Sequence, residues 1–494
     1  MLEKVHQDRL AKLAKIRDLG IDPYGGRYDT AEAIASIRAR FTDGDESQRA
    51  DAAGRLVLLR DMGKMMFAHL RDESGQMQIA LRKPKSDDPV GALSEDTWAL
   101  AKLLDLGDLI AVAGPVSRTR TGEVTIWAEK LALLTKSVLP MPEKFHGLTD
   151  IEARTRQRYL DLMTNPESMA TFQKRVAVIE QFRTLLKARG FAEVETPVLQ
   201  ALYGGGAARP FTTHHNTLDA DLFLRISPEL YLKRLLVGGM EKVFEIGRNF
   251  RNEGLDSRHN PEFTMMELYQ AYGDYEVMME ITEELIATSA RAVGGGQTLP
   301  FGDVEIDYTT PWRRATYEEL LVEYAGVSIR DASAVRAKAV ELGIDPAGKA
   351  DAVIVNEVFE AAVEPHLIQP TFVKDYPAEI CPLTRRKPDD PTIALRFELY
   401  IAKMEIANAY TELNDPAVQE ANFRQQLAGE GDAAAMRVLD EDFLTALRQG
   451  MPPAGGLGIG IDRVVMLLTN TASIRDVILF PMLRPIPGAP EGTD

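Results

Sequence analysis

The sequence predicts an α+β protein in two parts: a small five-stranded β-barrel, then a large domain of mixed helices and strands. Three observations carry that expectation. Five short strand-like runs separated by turn residues fill residues 51–138. A proline-rich stretch, Val138-Leu-Pro-Met-Pro-Glu, then interrupts the chain. Beyond about Asp150, a long helical stripe is followed by alternating strand-like and helical runs.

The elements follow in order. Leu10, Leu13 and Ile16 recur at helix spacing, and Gly20 and Pro23 stop the run, so residues 1–50 read as a helical extension. Strands are expected at Leu56–Arg60, Met66–Arg71, Met77–Leu81, Leu109–Gly114 and Val124–Leu134, with turns at Asp72–Gly75 and Thr119–Gly122. A helix over Thr97–Leu104 falls after the third strand. That is the order of an OB-fold, although another small barrel would show similar runs. Residues 51–138 form this module and 139–160 a linker. In 161–494, Phe172, Val176, Ile179, Phe182 and Leu186 make the stripe of a long helix closed by Gly190. Strands follow at Leu222–Ile226, Val243–Arg251 and Glu262–Tyr272. A mostly helical insertion spans about 316–364, strands return near Phe397–Leu413, and a Gly-rich turn and helix begin at Gly455.

Composition narrows the chemistry. The single cysteine, Cys381, excludes an internal disulfide and a Cys-based zinc site. No run of about 18 apolar residues suggests a membrane span, and the charged start lacks the apolar core of a secretory signal. The expected location is the cytoplasm. The net charge of −17 disfavours nucleic-acid binding by the chain as a whole. From Gly54 to Ser86, however, seven basic side chains (Arg55, Arg60, Lys64, Arg71, Arg82, Lys83 and Lys85) face three acidic ones, a local balance of +4. Such a patch suits either phosphate contact or an ordinary solvated face.

Three motifs carry candidate chemistry. Phe250-Arg-Asn-Glu-Gly and Arg258-His-Asn-Pro-Glu-Phe-Thr-Met-Met-Glu-Leu-Tyr read as two strands around a loop. Strand alternation puts Arg251 and Glu253 on one face, and Phe263, Met265, Glu267 and Tyr269 on one face of the next strand. Arg258 and His259 fall in the loop. Cations, a ring and carboxylates on one floor suit a nucleotide; a buried ion pair in a plain hairpin would look the same. Gly455-Gly-Leu-Gly-Ile-Gly-Ile-Asp-Arg alternates glycines as in a tightly packed strand, with Asp462 and Arg463 opening an apolar helix. In RFELYIAKMEIANAYTELND, Asn408, Tyr410 and Glu412 share a parity. Glu405 has the other, so reaching the same site requires a bulge between Glu405 and Asn408. Glu398 adds a carboxylate, and Mg2+ would reconcile such carboxylates with phosphates. An exposed acidic strand is the plainer alternative.

Together these motifs resemble those of the class II aminoacyl-tRNA synthetases. The helix ending in Gly190-Phe-Ala-Glu-Val-Glu-Thr-Pro resembles that class's first motif, Phe250–Glu267 its second and Gly455–Arg463 its third. The class I signatures HIGH and KMSKS are absent. Within class II the chain is most similar to the lysyl-tRNA synthetase family, through KFHGLTDIEARTRQRYLDL, GGGAARPF, LRISPELYLKRLLVGG, RHNPEFTMMELYQAY and DVILFP. The resemblance implies an antiparallel sheet flanked by helices in the second domain, a homodimer through the region of Pro197, and L-lysine, ATP and tRNA(Lys) as substrates, with Mg2+ as cofactor. By residue, it implies that Arg251 and Arg463 are catalytic and that Arg251 bridges the lysine carboxylate and the ATP α-phosphate. Glu253, Arg258 and His259 would hold ATP, with Phe263 and Arg463 around the adenine. Gly205 and Glu229 would hold the α-amino group. Glu267, Tyr269 and Glu412 would receive the ε-ammonium beside Asn408 and Tyr410. Glu398 and Glu405 would hold the metal, and Arg60, Phe67 and Gln78 would read the anticodon. One departure stands out: the bacterial family often has Gly-Gly-Arg where this chain has Ala402-Lys403-Met404.

The implied reaction is attack by the lysine carboxylate on the α-phosphorus of ATP, then transfer to a tRNA ribose hydroxyl. Two rivals differ in what they require. A protein-modifying lysine ligase lacks the N-terminal OB domain. A catalytically dead RNA-binding relative has no need for Arg251, Arg463, Glu398 and Glu405.

Overall fold

Residues 2–84, 91–142, 150–206, 208–429 and 439–485 are described by the computed structural model. Lys85, residues 143–149 of the expected linker and Ala207 of the GGGAARPF stretch lie outside them. The chain divides into two units, Met1–Leu148 and Thr149–Asp494.

In the first unit, helices Leu2–Asp18 and Ile34–Arg40 are separated by extended chain and turns. Ile16, Ile34 and Ile37 are buried in the same core as the barrel strands. The strands are Arg49–Asp61, Met65–Arg71, Gln76–Arg82, Leu109–Arg118, Val124–Ala128 and Lys130–Thr135. The first strand is long enough to close the barrel. Its Arg49–Arg55 half pairs with Leu109–Pro115, and its Arg55–Asp61 half pairs with Met66–Arg71. At the bend, a side chain on Gly54 would meet the Arg71 carbonyl, so only glycine fits. The run expected as one strand over Val124–Leu134 is two, broken at Glu129. Val124–Ala128 pairs in parallel with the third strand, whereas Lys130–Thr135 pairs with the fourth. Helix Glu95–Ala101 sits between the third and fourth strands and is capped by Ser94, which accepts from Thr97 N.

The second unit is built on eight strands in the order Arg313–Thr316, Thr371–Pro377, Ile393–Ile401, Met404–Thr411, Ala454–Gly460, Glu262–Ala271, Lys242–Phe250, Ala192–Glu193. Only the outermost pair at each end is parallel. One face is apolar: Phe244, Met266, Leu268, Phe397, Leu399, Leu457 and Ile459 pack with helices Pro166–Ala188, Tyr275–Ser289 and Ile461–Leu468. The insertion forms helices Tyr317–Ala325, Ala332–Glu341 and Asp351–Ala362, which share a second core with Val373, Tyr376, Ala394 and Tyr400 of the neighbouring strands.

Two readings of this unit change. Residues 150–160, expected to end a linker, are helical (Ile151–Arg156, then Arg158–Thr164). They belong to this unit because Asp161, wholly buried, takes Arg158 at 2.7 Å and Arg154 at 2.8 Å. In the long helix Val178, not Val176, faces the core; Val176 is 68% exposed.

Candidate active site

Strand alternation turns the other face of the same sheet into a site. Met266 and Leu268 enter the core, while Phe263, Met265, Glu267 and Tyr269 line a cavity of about 870 Å³. Gly205, Glu229, Arg251, Glu253, Arg258, His259, Glu405, Asn408, Tyr410 and Arg463 complete the part of the wall that the sequence singles out. The hairpin register, Glu245 opposite Glu267 and Asn249 opposite Phe263, fixes the floor.

Two expectations about strand geometry resolve differently. The first strand ends at Phe250. Arg251 keeps one further link, donating its N–H to the Pro261 carbonyl at 2.8 Å, but Glu253 lies in the loop and owes its place to that loop rather than to alternation. The bulge between Glu405 and Asn408 is present. Leu399 pairs with Ala407 and Tyr400 with Glu405, which leaves Ile406 as the extra residue and brings Glu405 to the cavity beside Asn408 and Tyr410.

At one end of the cavity the Arg251 guanidinium lies 5.1 Å over the Phe263 ring, and its buried Nε has no partner among the described residues. Arg463 donates to the Glu405 carbonyl at 2.5 Å, and its other terminal nitrogen lies 3.2 Å from His259 Nε2. His259 Nδ1 is 2.8 Å from Asp256, which also accepts from the Arg258 and His259 amides and so shapes the loop. Next to Arg463, Asp462 is buried, accepts from Thr264 N at 2.7 Å and pairs with Arg175. Those bonds lock the helix that follows the Gly-rich strand to the hairpin and to the long helix.

At the other end the wall is acidic. Glu267 accepts from Ser227 Oγ at 3.0 Å and from Asn249 at 3.4 Å. Burial, and then Glu229 nearby, push its carboxyl up to about 7. Glu412, expected to face the ligand, does not line the cavity. It is 1% exposed behind the wall, 2.5 Å from the ammonium of Lys233, which also lies 2.6 Å from Glu229. Gly456 makes room for it: a side chain there would run into Glu412 Oε1 and the Tyr269 ring. Burial and the neighbouring carboxylates hold Tyr269 and Tyr410 far above the usual phenol range, so both remain hydroxyl donors.

Glu398 also lies off the cavity wall. It accepts from Tyr376 at 2.8 Å and Tyr400 at 2.7 Å and pairs with Arg396. Glu405 is pushed up by its seat in the wall and then by Glu398. Glu364, on the insertion, is pushed to about 7 by burial, with further upward contributions from Glu360, Glu398 and Glu405. No group of three acidic, histidine or cysteine side chains among the described residues forms a ready metal cage.

Sequence reading missed Ser227, Lys233, Arg225 and Arg396. Arg225 is buried against Glu245 under the hairpin and donates to the Arg248 carbonyl at 2.9 Å; Arg396 donates to Asn408 at 3.1 Å. Lys233 alone had a local signal, since it follows Glu229 by one helical turn in ELYLK.

In the first unit, Arg60, Phe67, Ala80 and Trp127 form one cross-strand row. Phe67 meets Trp127 edge-on at 6.3 Å, and Gln78, two residues before Ala80 on the same strand face, accepts from Thr125 at 2.8 Å. An exposed cation, a half-buried ring and an amide therefore share one outer face of the barrel.

Residues 150–484 match the family model described as tRNA synthetases class II (D, K and N), and residues 52–134 match the OB-fold nucleic acid binding domain. The chain is 50% identical to the lysine–tRNA ligase of Pelotomaculum thermopropionicum, covering 98% of this chain and 96% of that one. It is likewise 50% identical to the one from Moorella thermoacetica, over 97% of each, and 49% identical to that of Carboxydothermus hydrogenoformans, over 98% and 99%.

Proposed function

This chain belongs to the class II lysine–tRNA ligases, and from that premise we propose which of its residues perform the reaction. The observation that carries the assignment is that one cavity is lined both by Arg251 and Arg463 and by the carboxylates of Glu229 and Glu267.

L-lysine lies with its carboxylate toward Arg251 and its ammonium groups toward the acidic end. Gly205 and Glu229 hold the α-ammonium. Glu267, with the hydroxyls of Tyr269 and Tyr410 and the amide of Asn408, receives the ε-ammonium. Glu412 acts from behind the wall through its charge. ATP lies over Phe263 and Arg463, with Glu253, Arg258 and His259 on its phosphates and ribose. An uncharged side chain in this pocket would leave a buried carboxylate unpaired, which is the basis of selectivity.

The lysine carboxylate is already ionised at neutral pH, so the first step needs no general base. One carboxylate oxygen attacks the α-phosphorus, the bond to the bridging oxygen breaks in line, and pyrophosphate leaves. Arg251 and Arg463 orient the reactants and offset the charge that builds on the phosphoryl oxygens. A ribose hydroxyl at the tRNA end then attacks the adenylate carbonyl.

Mg2+ fits the donor chemistry: oxygen ligands only, with Glu405 open to the cavity and crowded by Glu398 in a way that a hard cation relieves. Glu405 would be the leading donor, with Glu398 behind it once it yields a bond to Arg396 or a tyrosine. The ion supplies charge neutralisation on the phosphates. In the barrel, Phe67 stacks an anticodon base while Arg60 and Gln78 contact the phosphate and base edge. A homodimer would cover the exposed apolar residues Val176, Val198, Leu199 and Leu202 around Pro197. The expected location is the cytoplasm; no helix among the described residues is long and apolar enough to cross a membrane.

ATP–pyrophosphate exchange with each of the twenty amino acids tests this reading. Exchange with lysine alone is expected; exchange driven equally by an uncharged amino acid would overturn the pocket.

A further inference from the structure

The helix Glu229–Val237 places Lys233 one turn after Glu229, with its side chain wholly buried. The ammonium bridges Glu229 and Glu412, which come from elements far apart in the chain, and lies 6.0 Å from the centre of the Tyr269 ring. Burial works against its charge, but Glu229 and Glu412 outweigh burial and hold it ionised. Glu412 Oε1 is buried with no hydrogen-bond partner among the described residues, and burial pushes this carboxyl up to about 8, against the pull of Lys233 and with Glu229 adding to the rise.

The charges around this end of the cavity can be counted. Glu229, Glu267 and Glu412 are three potential negative charges, and Lys233 is the cation paired directly with two of them. Arg251 and Arg225 also act on Glu267 through their charge, but Arg225 is paired with Glu245, and Arg234 is paired with Asp440 and Asp442. Arg251 remains for a substrate carboxylate. With all three carboxylates ionised, as bound cations would hold them, they and Lys233 leave a deficit of two positive charges. A substrate with an α-ammonium and one side-chain ammonium fills it. Without Lys233 the deficit would be three, and the carboxylates would retain a proton in place of the missing cation.

We propose that Lys233 is a positioning residue that sets the charge count of the amino-acid pocket, acting as a built-in ammonium so that the pocket accepts one diammonium substrate. This rests on the lysine-pocket assignment above. It differs from a salt bridge that merely ties the helix to the strand end, because it predicts an effect on the protonation of the pocket.

The test uses the full-length enzyme in lysine-dependent ATP–pyrophosphate exchange between pH 6 and 9. Lys233→Met should raise the KM for lysine about tenfold or more at pH 7 and leave the KM for ATP within about twofold. It should also move the pH midpoint of the lysine KM upward by about one unit. The double variant Lys233→Met/Glu412→Gln removes one cation and one anion together, restores the deficit of two, and should return that midpoint to the parent value. A parental midpoint in Lys233→Met, or a double variant whose midpoint stays shifted, overturns the proposal. Should the single variant not fold, the double variant decides by the same criterion. If the parent enzyme itself shows no dependence on lysine, it is the pocket assignment that has failed.

Discussion

Replacing Glu267 by Gln should make the unliganded protein more stable while depriving it of its substrate. The native pocket holds this carboxyl at about 7, against an ordinary 4.5, because it is buried and lies near Glu229. A folded-state value above the unfolded one means that the native protein favours the protonated form. Below about pH 4.5 both states are protonated and the group costs nothing. As pH rises toward 7 the unfolded chain gains by ionising first, and native stability is lost; above about 7 the loss is complete. At about 1.4 kcal/mol per pH unit, that loss reaches about 3 kcal/mol. Gln has the same shape, can keep the bond from Ser227 and carries no charge. Glu267→Gln should therefore melt above the parent at pH 8, with the gap narrowing as pH falls toward 5. In the proposed pocket, the same change would remove one member of a buried charge pair with the ε-ammonium. A loss of about 3 kcal/mol corresponds to about a hundredfold rise in the lysine KM, with the ATP KM nearly unchanged. Thermal unfolding across pH without substrates, and exchange kinetics with each substrate varied, measure both arms. Equal losses for lysine and ATP, or a lower melting temperature at pH 8, would refute the reasoning.

Three other outcomes are expected. Phe67→Ala should lower aminoacylation efficiency roughly ten- to a hundredfold, from the loss of about 1–3 kcal/mol of base stacking, while pyrophosphate exchange barely changes; a collapse of both would point to barrel damage. Sedimentation should show a dimer, and a fully active monomer would count against the interface near Pro197. The third concerns the hairpin turn at Ala402-Lys403, where both residues have positive φ, 52° and 64°, in the place where glycines are favoured. Lys403→Gly should stabilise by up to about 1 kcal/mol, since relief of the left-handed strain exceeds the added freedom of the unfolded chain. Ala402→Gly should gain little, because its methyl is 7% exposed in the main core and its loss costs about 0.8 kcal/mol. A lower melting temperature for Lys403→Gly would refute the strain argument.

Legibility in the sequence followed the range of the interaction. Phe263, Met265, Glu267 and Tyr269 could be assigned to one face from alternation alone. The mismatched parity of Glu405 was enough to require the bulge found at Ile406. Backbone geometry imposes these periods on any chain, so they survive without knowledge of the partners. The helix stripe was less exact: Val178 took the core position that Val176 was expected to fill, because which side of a helix is buried depends on what packs there. Glu253 likewise needed the loop, since the strand that would have carried it stops at Phe250.

By itself, the sequence determined the two-part architecture, the motif residues and the acidic character of the pocket. Only the tertiary structure decided how those charges are paired. Glu412 sits behind the wall because the packing of the Gly-rich strand leaves space there and Lys233 reaches it from a distant helix. Glu398 is held away from the cavity by Tyr376, Tyr400 and Arg396. A side chain's chemistry is written in the chain, but its ionisation and its partner depend on desolvation and on groups brought close by folding, and neither has a signature in local spacing.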